Sequence, residues 1–233
     1  MTKKIIAVIA AHPDDEVLGC GGVMAKHVLL GDEVHVLIMA EGATSRDCNR
    51  NREEKSAELD GLALAASQAA GVLGVKTHEL LAFPDNRMDS VDRLDVVKAI
   101  ESFLEKYKPS VVYTHHAGDV NIDHRITHDA VIIASRPQPG HFVELILCFE
   151  IPSSTEWQTP DSRNCFVPNW FENIEGSLSH KLKALACYEQ EMRPWPHARS
   201  YEAVEALAKW RGASIGVTAA EAFVLSRMIK REI

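Results

Sequence analysis

The first apolar run of the chain ends in a strongly polar loop. Residues 5–10 are Ile, Ile, Ala, Val, Ile and Ala, a composition typical of a strand that is buried on both faces of a parallel sheet. Residues 11–16 then read Ala-His-Pro-Asp-Asp-Glu, and we call them the hexapeptide. Open α/β sheets place their functional sites beyond the carboxyl ends of their strands. The hexapeptide is therefore the first candidate for a functional loop.

The charges of the hexapeptide allow two interpretations. The adjacent carboxylates of Asp14, Asp15 and Glu16 repel one another unless a positive charge offsets them. A divalent metal ion is one candidate for that charge, and His12 together with an aspartate suits zinc or iron. The alternative is an acidic turn in which Pro13 fixes the bend and an aspartate caps the next helix. The hexapeptide by itself leaves both interpretations open.

Strands and helices alternate over the first 150 residues. The predicted strands are residues 5–10, 33–39, 77–83, 110–114 and 142–149, and the predicted helices are 21–30, 52–73, 90–108 and 121–135. Alternating elements with short connections are the signature of a doubly wound sheet. We therefore predict an α/β fold, a Rossmann-like three-layer sandwich with a mostly parallel sheet.

The pattern changes after residue 150 to polar loops and helices. Helical spacing predicts helices at residues 177–192, 201–210 and 218–230. No linker is rich enough in flexible residues to separate this part from the rest. We therefore expect a single domain over residues 1–233, with a Rossmann-like core at 1–150. The C-terminal helical and loop extension, 151–233, is expected to cover the sheet edge or the site.

Composition argues against several classes of protein. The formal net charge of −8 argues against nucleic acid or an anionic membrane as the main partner, because both favour basic surfaces. Five scattered cysteines without a Cys-x-x-Cys pair favour a reduced, cytoplasmic chain. No apolar stretch is long enough for a membrane span. Residues 19–22, Gly-Cys-Gly-Gly, lack the Gly-x-Gly-x-x-Gly spacing, so NAD binding is not expected.

A second polar loop offers the metal ligand that the hexapeptide lacks. His12 and Asp15 supply two ligands, whereas a catalytic zinc site has three protein ligands and one open position. The loop after the fourth predicted strand contains His124, and a parallel sheet would bring this loop beside the first one. His124 is therefore the best candidate for the third ligand. Asp14 could then act as a general base, and Asp123 could orient an imidazole through its second nitrogen.

These residues carry a family resemblance. The hexapeptide, followed more than a hundred residues later by Asp123 and His124, resembles the LmbE/PIG-L family of zinc-dependent N-acetylglucosamine deacetylases. The resemblance implies that His12, Asp15 and His124 bind Zn²⁺ and that Asp14 is the base. Fe²⁺ or another divalent metal would also fit two histidines and a carboxylate.

The resemblance also implies a reaction. Family members remove an N-acetyl or similar acyl group from an amino sugar or its conjugate, and they release acetate and a free amine. We therefore expect a small-molecule amino-sugar substrate and a homo-oligomer. Two alternatives stay open, namely a metal-dependent amidase or esterase that acts on a non-sugar acyl compound, and a non-catalytic sugar-binding module.

One position departs from the family pattern. Many members carry a histidine where this chain has Asn121, and that histidine is often assigned to protonation or transition-state stabilisation. Asn121 could donate a hydrogen bond to an oxyanion, but it cannot deliver a proton. We hypothesise that Asp14 acts as both base and acid. His115, His116 and His128 are the alternative proton donors.

Other polar residues at predicted strand and helix ends are candidates for substrate binding. Asp85, Asn86 and Arg87 could bind sugar hydroxyls or could form only a polar turn. Arg136 could bind a carboxylate or phosphate of the substrate, although arginine is also common at helix C-termini. Residues 195–199, Trp-Pro-His-Ala-Arg, could stack on a substrate ring or cover another surface. The candidate substrate-binding residues are Asp85, Asn86, Arg87, His115, His116, Asn121 and Arg136.

Overall fold

The computed structural model describes residues 3–139 and 143–230, and strands and helices alternate along the chain as far as residue 149. The strands are β1 (Ile5–Ala10), β2 (Glu33–Ala40), β3 (Thr77–Phe83), β4 (Val111–His115), β5 (Leu145–Phe149), β6 (Trp170–Asn173) and β7 (Ala220–Met228). The helices are α1 (Asp15–Leu29), α2 (Ser56–Leu73), α3 (Arg93–Tyr107), α4 (Ile122–Ala134), α5 (Leu178–Leu185) and α6 (Tyr201–Ala213). Among these helices, none has the length and apolar composition of a membrane span.

The strands form one sheet in the order β3-β2-β1-β4-β5-β7-β6. β1 to β5 are parallel, and their order is that of a doubly wound sheet. β7 runs antiparallel to both β5 and β6. The predicted α/β fold with a mostly parallel sheet is therefore confirmed.

Helices cover both faces of the sheet. In β1, Ile6 and Val8 point into one apolar core, and Ala7 and Ile9 point into the other; all four are fully buried. The first core contains residues of α1, α2, α5 and α6, and the second contains residues of α3 and α4. Burial on both faces explains why β1 is continuously apolar. The result is the predicted three-layer sandwich.

The hexapeptide lies at the topological switch point of this sheet. β1 pairs with β2 on one side and with β4 on the other. The helix after β1 packs on one face and the helix after β4 packs on the opposite face. The loop after β1 and the loop after β4 therefore run to opposite faces and leave a crevice beyond the carboxyl ends of these strands. Ligands bind in this crevice in doubly wound sheets.

The helix predicted for residues 218–230 is wrong. Residues Ala220–Met228 form strand β7, which pairs with β5 from Phe149 opposite Phe223 to Leu145 opposite Met228, with one register shift between Ile146 and Leu147. The apolar residues Ala222, Leu225 and Met228 recur every three positions, which mimics helical spacing. Without β7, the outer backbone groups of β5 would lack partners, so the sheet edge overrides the local pattern.

The C-terminal extension is therefore more than helices and loops. It adds β6 and β7 to the sheet, and the helix predicted for residues 177–192 is shorter, because α5 ends at Leu185 and a short 3-10 turn follows. The strand predicted for 142–149 corresponds to β5, and residue 142 lies outside the described residues. A single domain over 1–233 stays a prediction, which the shared sheet supports.

Candidate metal centre and active site

The hexapeptide makes a tight turn between β1 and α1. The Asp15 carboxylate accepts a hydrogen bond from the backbone N–H of His12 at 2.9 Å, and the Asp15 N–H donates to the His12 carbonyl at 3.2 Å. Asp14 has a φ of 110°, which residues other than glycine rarely adopt. Such strain persists where the surroundings impose it, and it clusters at functional sites. The turn brings the side chains of His12 and Asp15 together.

Three potential metal-ligand atoms converge at this turn. His12 Nδ1 lies 3.2 Å from Asp15 Oδ2 and 3.3 Å from His124 Nε2, and the last two atoms are 3.2 Å apart. Ligands at about 2.0–2.1 Å from a tetrahedral zinc ion are about 3.3–3.4 Å from one another. The buried Asp15 Oδ1 has no hydrogen-bond partner among residues 3–139 and 143–230. The residues therefore fit a divalent metal ion.

Carboxylates orient the other nitrogen of each imidazole. His12 Nε2 lies 3.1 Å from Asp123 Oδ2, and His124 Nδ1 lies 3.2 Å from Asp119 Oδ1. Asp123, which was expected to orient an imidazole, contacts His12 and not its sequence neighbour His124. Sequence reasoning assigned no role to Asp119, although an acidic residue in the loop after β4 was a usable signal. Such partners fix the tautomer of a metal-binding histidine.

The buried carboxylates of the site raise the pKa values of the histidines beside them. Burial lowers the pKa of His124, but Asp15 and Asp119 outweigh burial and raise the pKa to about 9. Burial also opposes protonation of His12, yet Asp123 and Asp15 raise its pKa well above the usual range. Protons on the imidazoles therefore balance the buried carboxylates. A divalent cation can replace those protons.

Asp14 is held from two directions. Its Oδ2 accepts a hydrogen bond from Arg199 Nη1 at 2.7 Å, and its backbone N–H donates to Glu16 Oε2 at 3.1 Å. Tyr188 in turn donates its hydroxyl to Glu16 Oε1 at 2.6 Å. Burial raises the pKa of Asp14 well above its usual range, although the charge of Arg199 opposes that rise. Burial likewise raises the pKa of Glu16 to about 7, and the Tyr188 hydrogen bond opposes that rise.

A polar cavity of about 150 Å³ opens beside His12 and Asp14. Its walls come from the loops after β1, β2 and β3, from Leu62 of α2, from the start of α4 and from the C-terminal extension. Arg46 Nη2 and Glu191 Oε1 meet at 2.5 Å on one wall. Sequence reasoning missed Arg46 and Glu191 as cavity residues, and it considered Arg199 only as part of an aromatic cluster. Arg46 follows β2, which pairs with β1, so its position was a usable signal, whereas no local signal places Glu191 and Arg199 beside the hexapeptide.

Three of the predicted substrate-binding residues line the cavity, namely Asp85, Asn86 and Asn121. The Asn121 side chain caps α4 by accepting from the Asp123 N–H at 2.8 Å, and its Nδ2 donates to Asn86 Oδ1 at 2.8 Å. Arg87 does not line the cavity, because its guanidinium donates to the backbone carbonyl of Cys48.

The histidines considered as proton donors are not among the cavity-lining residues. His115 is buried, stacks on His124 at 4.0 Å, and accepts the Ala11 N–H at Nε2. His116 Nε2 lies 3.1 Å from the Asn164 carbonyl oxygen. His128 donates from Nδ1 to the His115 carbonyl. Each of these three histidines therefore forms a hydrogen bond with the backbone of another part of the chain.

Arg136 lies away from these residues. It is exposed just after the end of α4 and borders a different surface cavity, together with Glu101 and Lys108 of the α3 end. The prediction that Arg136 contacts substrate has no support from this placement. The alternative, an arginine near a helix C-terminus, matches its position.

Two proteins of similar sequence are described as deacetylases. The Escherichia coli (strain K12) protein YaiS, described as an uncharacterized deacetylase, is 29% identical over 189 residues, which cover 78% of this chain and 89% of YaiS. A Bacillus cereus protein, described as probable N-acetyl-alpha-D-glucosaminyl L-malate deacetylase 2, is 24% identical over 213 residues, which cover 89% of this chain and 94% of the relative.

Solved structures share the fold. The N,N'-diacetylchitobiose deacetylase of Pyrococcus horikoshii matches with a TM-score of 0.75 and 23% identity, and the match covers 95% of this chain and 83% of that chain. GalB, the 4-carboxy-2-hydroxymuconate hydratase of Pseudomonas putida KT2440, matches with a TM-score of 0.77 and 22% identity over 99% of both chains. A deacetylase and a hydratase thus share one architecture, so fold alone does not specify the reaction.

The family assignment comes from the part of the chain that carries the converging ligand atoms. Residues 7–135 match the model of the family described as PIG-L, GlcNAc-PI de-N-acetylase. This range exceeds half of the 233 residues and contains the hexapeptide, Asp119, Asp123 and His124. The resemblance indicated by the hexapeptide is thereby confirmed. The chain belongs to the PIG-L family of GlcNAc-PI de-N-acetylases.

Proposed function

We propose that the protein is a metal-dependent de-N-acetylase that hydrolyses the acetamide of an amino sugar or amino-sugar conjugate. The observation that carries the proposal is the convergence of His12 Nδ1, Asp15 Oδ2 and His124 Nε2 within 3.3 Å of one another, beside a cavity that Asp14 lines. Membership of a de-N-acetylase family supports the same reaction.

The metal ion would be held by His12, Asp15 and His124. We propose Zn²⁺, and Fe²⁺ suits the same donor set of two imidazoles and one carboxylate. When bound, such an ion supplies a Lewis acid that polarises the amide carbonyl and lowers the pKa of water. Asp123 and Asp119 keep the two imidazoles in the orientation that ligation requires.

Asp14 is the proposed proton carrier. Its carboxylate lines the cavity and takes the proton of the attacking water as a general base. The same carboxyl group then returns the proton to the leaving amine, because Asn121 lacks an acidic proton and the three nearby histidines are committed elsewhere. Asn121 lines the same cavity and supplies a hydrogen-bond donor for the substrate.

The descriptions of the relatives indicate the substrate class. One is named for an N-acetylglucosaminyl malate and another for diacetylchitobiose, so both names specify an N-acetylated sugar within a larger molecule. The cavity is predominantly polar in its lining, and its amide and carboxylate groups match sugar hydroxyls. We therefore propose an N-acetylglucosamine conjugate as substrate.

The deciding experiment is an acetate-release panel. The protein is depleted of metal, reloaded with Zn²⁺ or Fe²⁺, and incubated with N-acetylglucosamine, diacetylchitobiose, N-acetylglucosaminyl malate, a nucleotide-linked N-acetylglucosamine, and non-sugar acetamides and acetate esters. We expect metal-dependent acetate release from at least one N-acetylated sugar, and none from the metal-depleted control. Release from non-sugar compounds alone would support the amidase or esterase alternative. Sugar binding without any release would support a binding module.

Two further proposals concern the whole chain. The scattered cysteines, for which the structure contains no disulfide among its described residues, support a cytoplasmic location. The family resemblance supports a homo-oligomer. Light scattering on the purified protein measures the oligomeric state, and a monomer at all concentrations would contradict that proposal.

A further inference from the structure

We propose that Arg199 is a positioning residue that orients the Asp14 carboxylate for proton transfer, so that the C-terminal extension completes the active site. This inference rests on the proposed function, because it assigns Arg199 a role in the same reaction. Arg199 lies outside residues 7–135, the range that matches the family model. It reaches Asp14 across 185 positions of sequence.

The guanidinium of Arg199 is fixed by two separate hydrogen bonds. Its Nη1 donates to Asp14 Oδ2 at 2.7 Å, and its Nε donates to Ser153 Oγ at 2.7 Å. The side chain is only 23% exposed. Because a guanidinium is planar, two anchors on different edges define the orientation of the whole group.

The backbone of Arg199 is equally constrained. Residues 193–199 form a closed loop, in which the Arg193 N–H donates to the Arg199 carbonyl at 3.2 Å. The Arg199 N–H donates to His197 Nδ1 at 3.0 Å. The next residue, Ser200, caps α6 by accepting the Ala203 N–H. Arg199 therefore approaches Asp14 from a rigid support rather than from a free surface loop.

Asp14 depends on this contact for its orientation. Among residues 3–139 and 143–230, only Arg199 forms a hydrogen bond to the Asp14 carboxylate. Glu191 lies farther from Arg199, at 3.9 Å, and is held by Arg46 instead. Misplacement of a reacting group by about 1 Å can cost about 100-fold in rate, so loss of the single anchor is expected to matter.

The test compares three variants of the metal-loaded, full-length protein. Arg199→Ala removes the anchor, and Arg199→Lys keeps a positive charge without the planar fork. The matched control is Arg193→Ala in the same loop, because the Arg193 guanidinium donates to the carbonyls of Gln190 and Met192 and does not line the cavity. Each variant is measured for kcat and KM on the best sugar of the panel, for bound metal per chain, and by crystal structure.

For Arg199→Ala we expect kcat to fall about 100-fold with little change in KM, because a positioning residue acts on the reacting group and not on substrate affinity. Metal content should equal that of the wild type, and the Asp14 carboxylate should occupy a different rotamer or several. Arg199→Lys should recover part of kcat, added guanidinium should partly restore Arg199→Ala, and Arg193→Ala should behave as wild type.

Several results would overturn the inference. These are a kcat of Arg199→Ala within about twofold of the wild type, an unmoved Asp14 carboxylate, or loss of metal that accounts for the lost rate. An equal loss of kcat in Arg193→Ala would indicate that Arg199 only stabilises the loop and does not orient Asp14. Failure of the proposed function is seen separately, as absence of acetate release by the wild type. If the wild type releases no acetate, comparison of the Asp14 position in the crystal structures of the wild type and Arg199→Ala still tests the inference.

Discussion

Asp123 joins three parts of the site through one carboxylate. Its Oδ2 lies 3.1 Å from His12 Nε2 and accepts the Asn86 N–H at 2.6 Å, and its Oδ1 accepts the Met88 N–H at 2.9 Å. The carboxylate is fully buried. A buried carboxylate needs such donors to offset its desolvation. Asp123 therefore orients His12 and also ties α4 to the loop after β3.

Asp123→Asn is expected to weaken metal binding without abolishing it. The amide keeps the size of the carboxylate but removes the charge that makes the His12 imidazole a stronger ligand, so affinity should fall about 10–100-fold. Competition with a chromophoric chelator measures the change. Asp119→Asn should have a similar effect through His124, whereas unchanged affinity in both variants would contradict the orienting role.

Asp14→Asn is expected to abolish most turnover while the metal stays bound. The amide cannot accept the proton of water, so kcat should fall about 10²–10⁴-fold. Steady-state kinetics with metal analysis on the same sample separates loss of the base from loss of the ion. A variant with near-normal kcat would exclude Asp14 as both base and acid.

At the scale of elements, β7 links the sheet to the helix that follows the hexapeptide. Glu221 of β7 accepts the Gly22 and Val23 N–H groups at 3.0 and 2.7 Å, and it pairs with Lys181 of α5 at 2.6 Å. A kink at Cys20, which has φ −149° and ψ 26°, interrupts α1, and these two N–H groups lie just after the kink. Glu221 thus acts as an internal cap for the second half of α1.

Glu221→Gln is expected to destabilise the protein strongly. The substitution leaves the Lys181 ammonium buried without its counter-charge, which typically costs about 3–5 kcal/mol. Urea unfolding measures the change in the free energy of unfolding. The matched control is Glu205→Gln in the exposed pair with Lys209, whose side chains are 41% and 62% exposed.

The control pair should contribute little. Exposed pairs of this spacing are worth about 0.3–0.5 kcal/mol, so Glu205→Gln should unfold almost as the wild type does. If both variants lost the same stability, the buried pair would have no special role in holding α1.

At the scale of the whole molecule, the converging ligands connect the two halves of the doubly wound sheet. His12 and Asp15 follow β1, and His124 lies in α4 beyond β4. α1 packs on one face of the sheet and α4 on the other. A metal ion bound by all three residues would therefore cross-link elements on opposite faces at the switch point.

Metal removal is expected to lower thermal stability. An ion that binds only the folded state at about 1,000 times its Kd stabilises by about 4 kcal/mol, which corresponds to about 10 °C for a chain of this size. Calorimetry with and without a chelator measures the shift. His12→Ala, which lacks one ligand, should show a much smaller shift, and an equal shift in both proteins would place the stabilising metal elsewhere.

Local chemistry was enough to predict β1, the hexapeptide and the pairing of His12 and Asp15 with His124. A strand buried on both faces must be apolar throughout, and the alternation of strands and helices implies a parallel sheet whose strand ends meet. These features depend on neighbours in sequence or on general rules of topology. The architecture of residues 1–150 and the position of the candidate metal centre could therefore be predicted from local patterns and topology alone.

Contacts between residues that are distant in sequence became apparent only from the three-dimensional packing. β7 is a strand because the free edge of β5 provides backbone partners, which outweigh a helix-like spacing. Asp123 contacts His12 rather than the adjacent His124, because side-chain contacts follow spatial proximity and not sequence order. Arg199 meets Asp14 because the C-terminal extension packs against the hexapeptide. Such contacts depend on the packing of whole elements, which no local period in the sequence encodes.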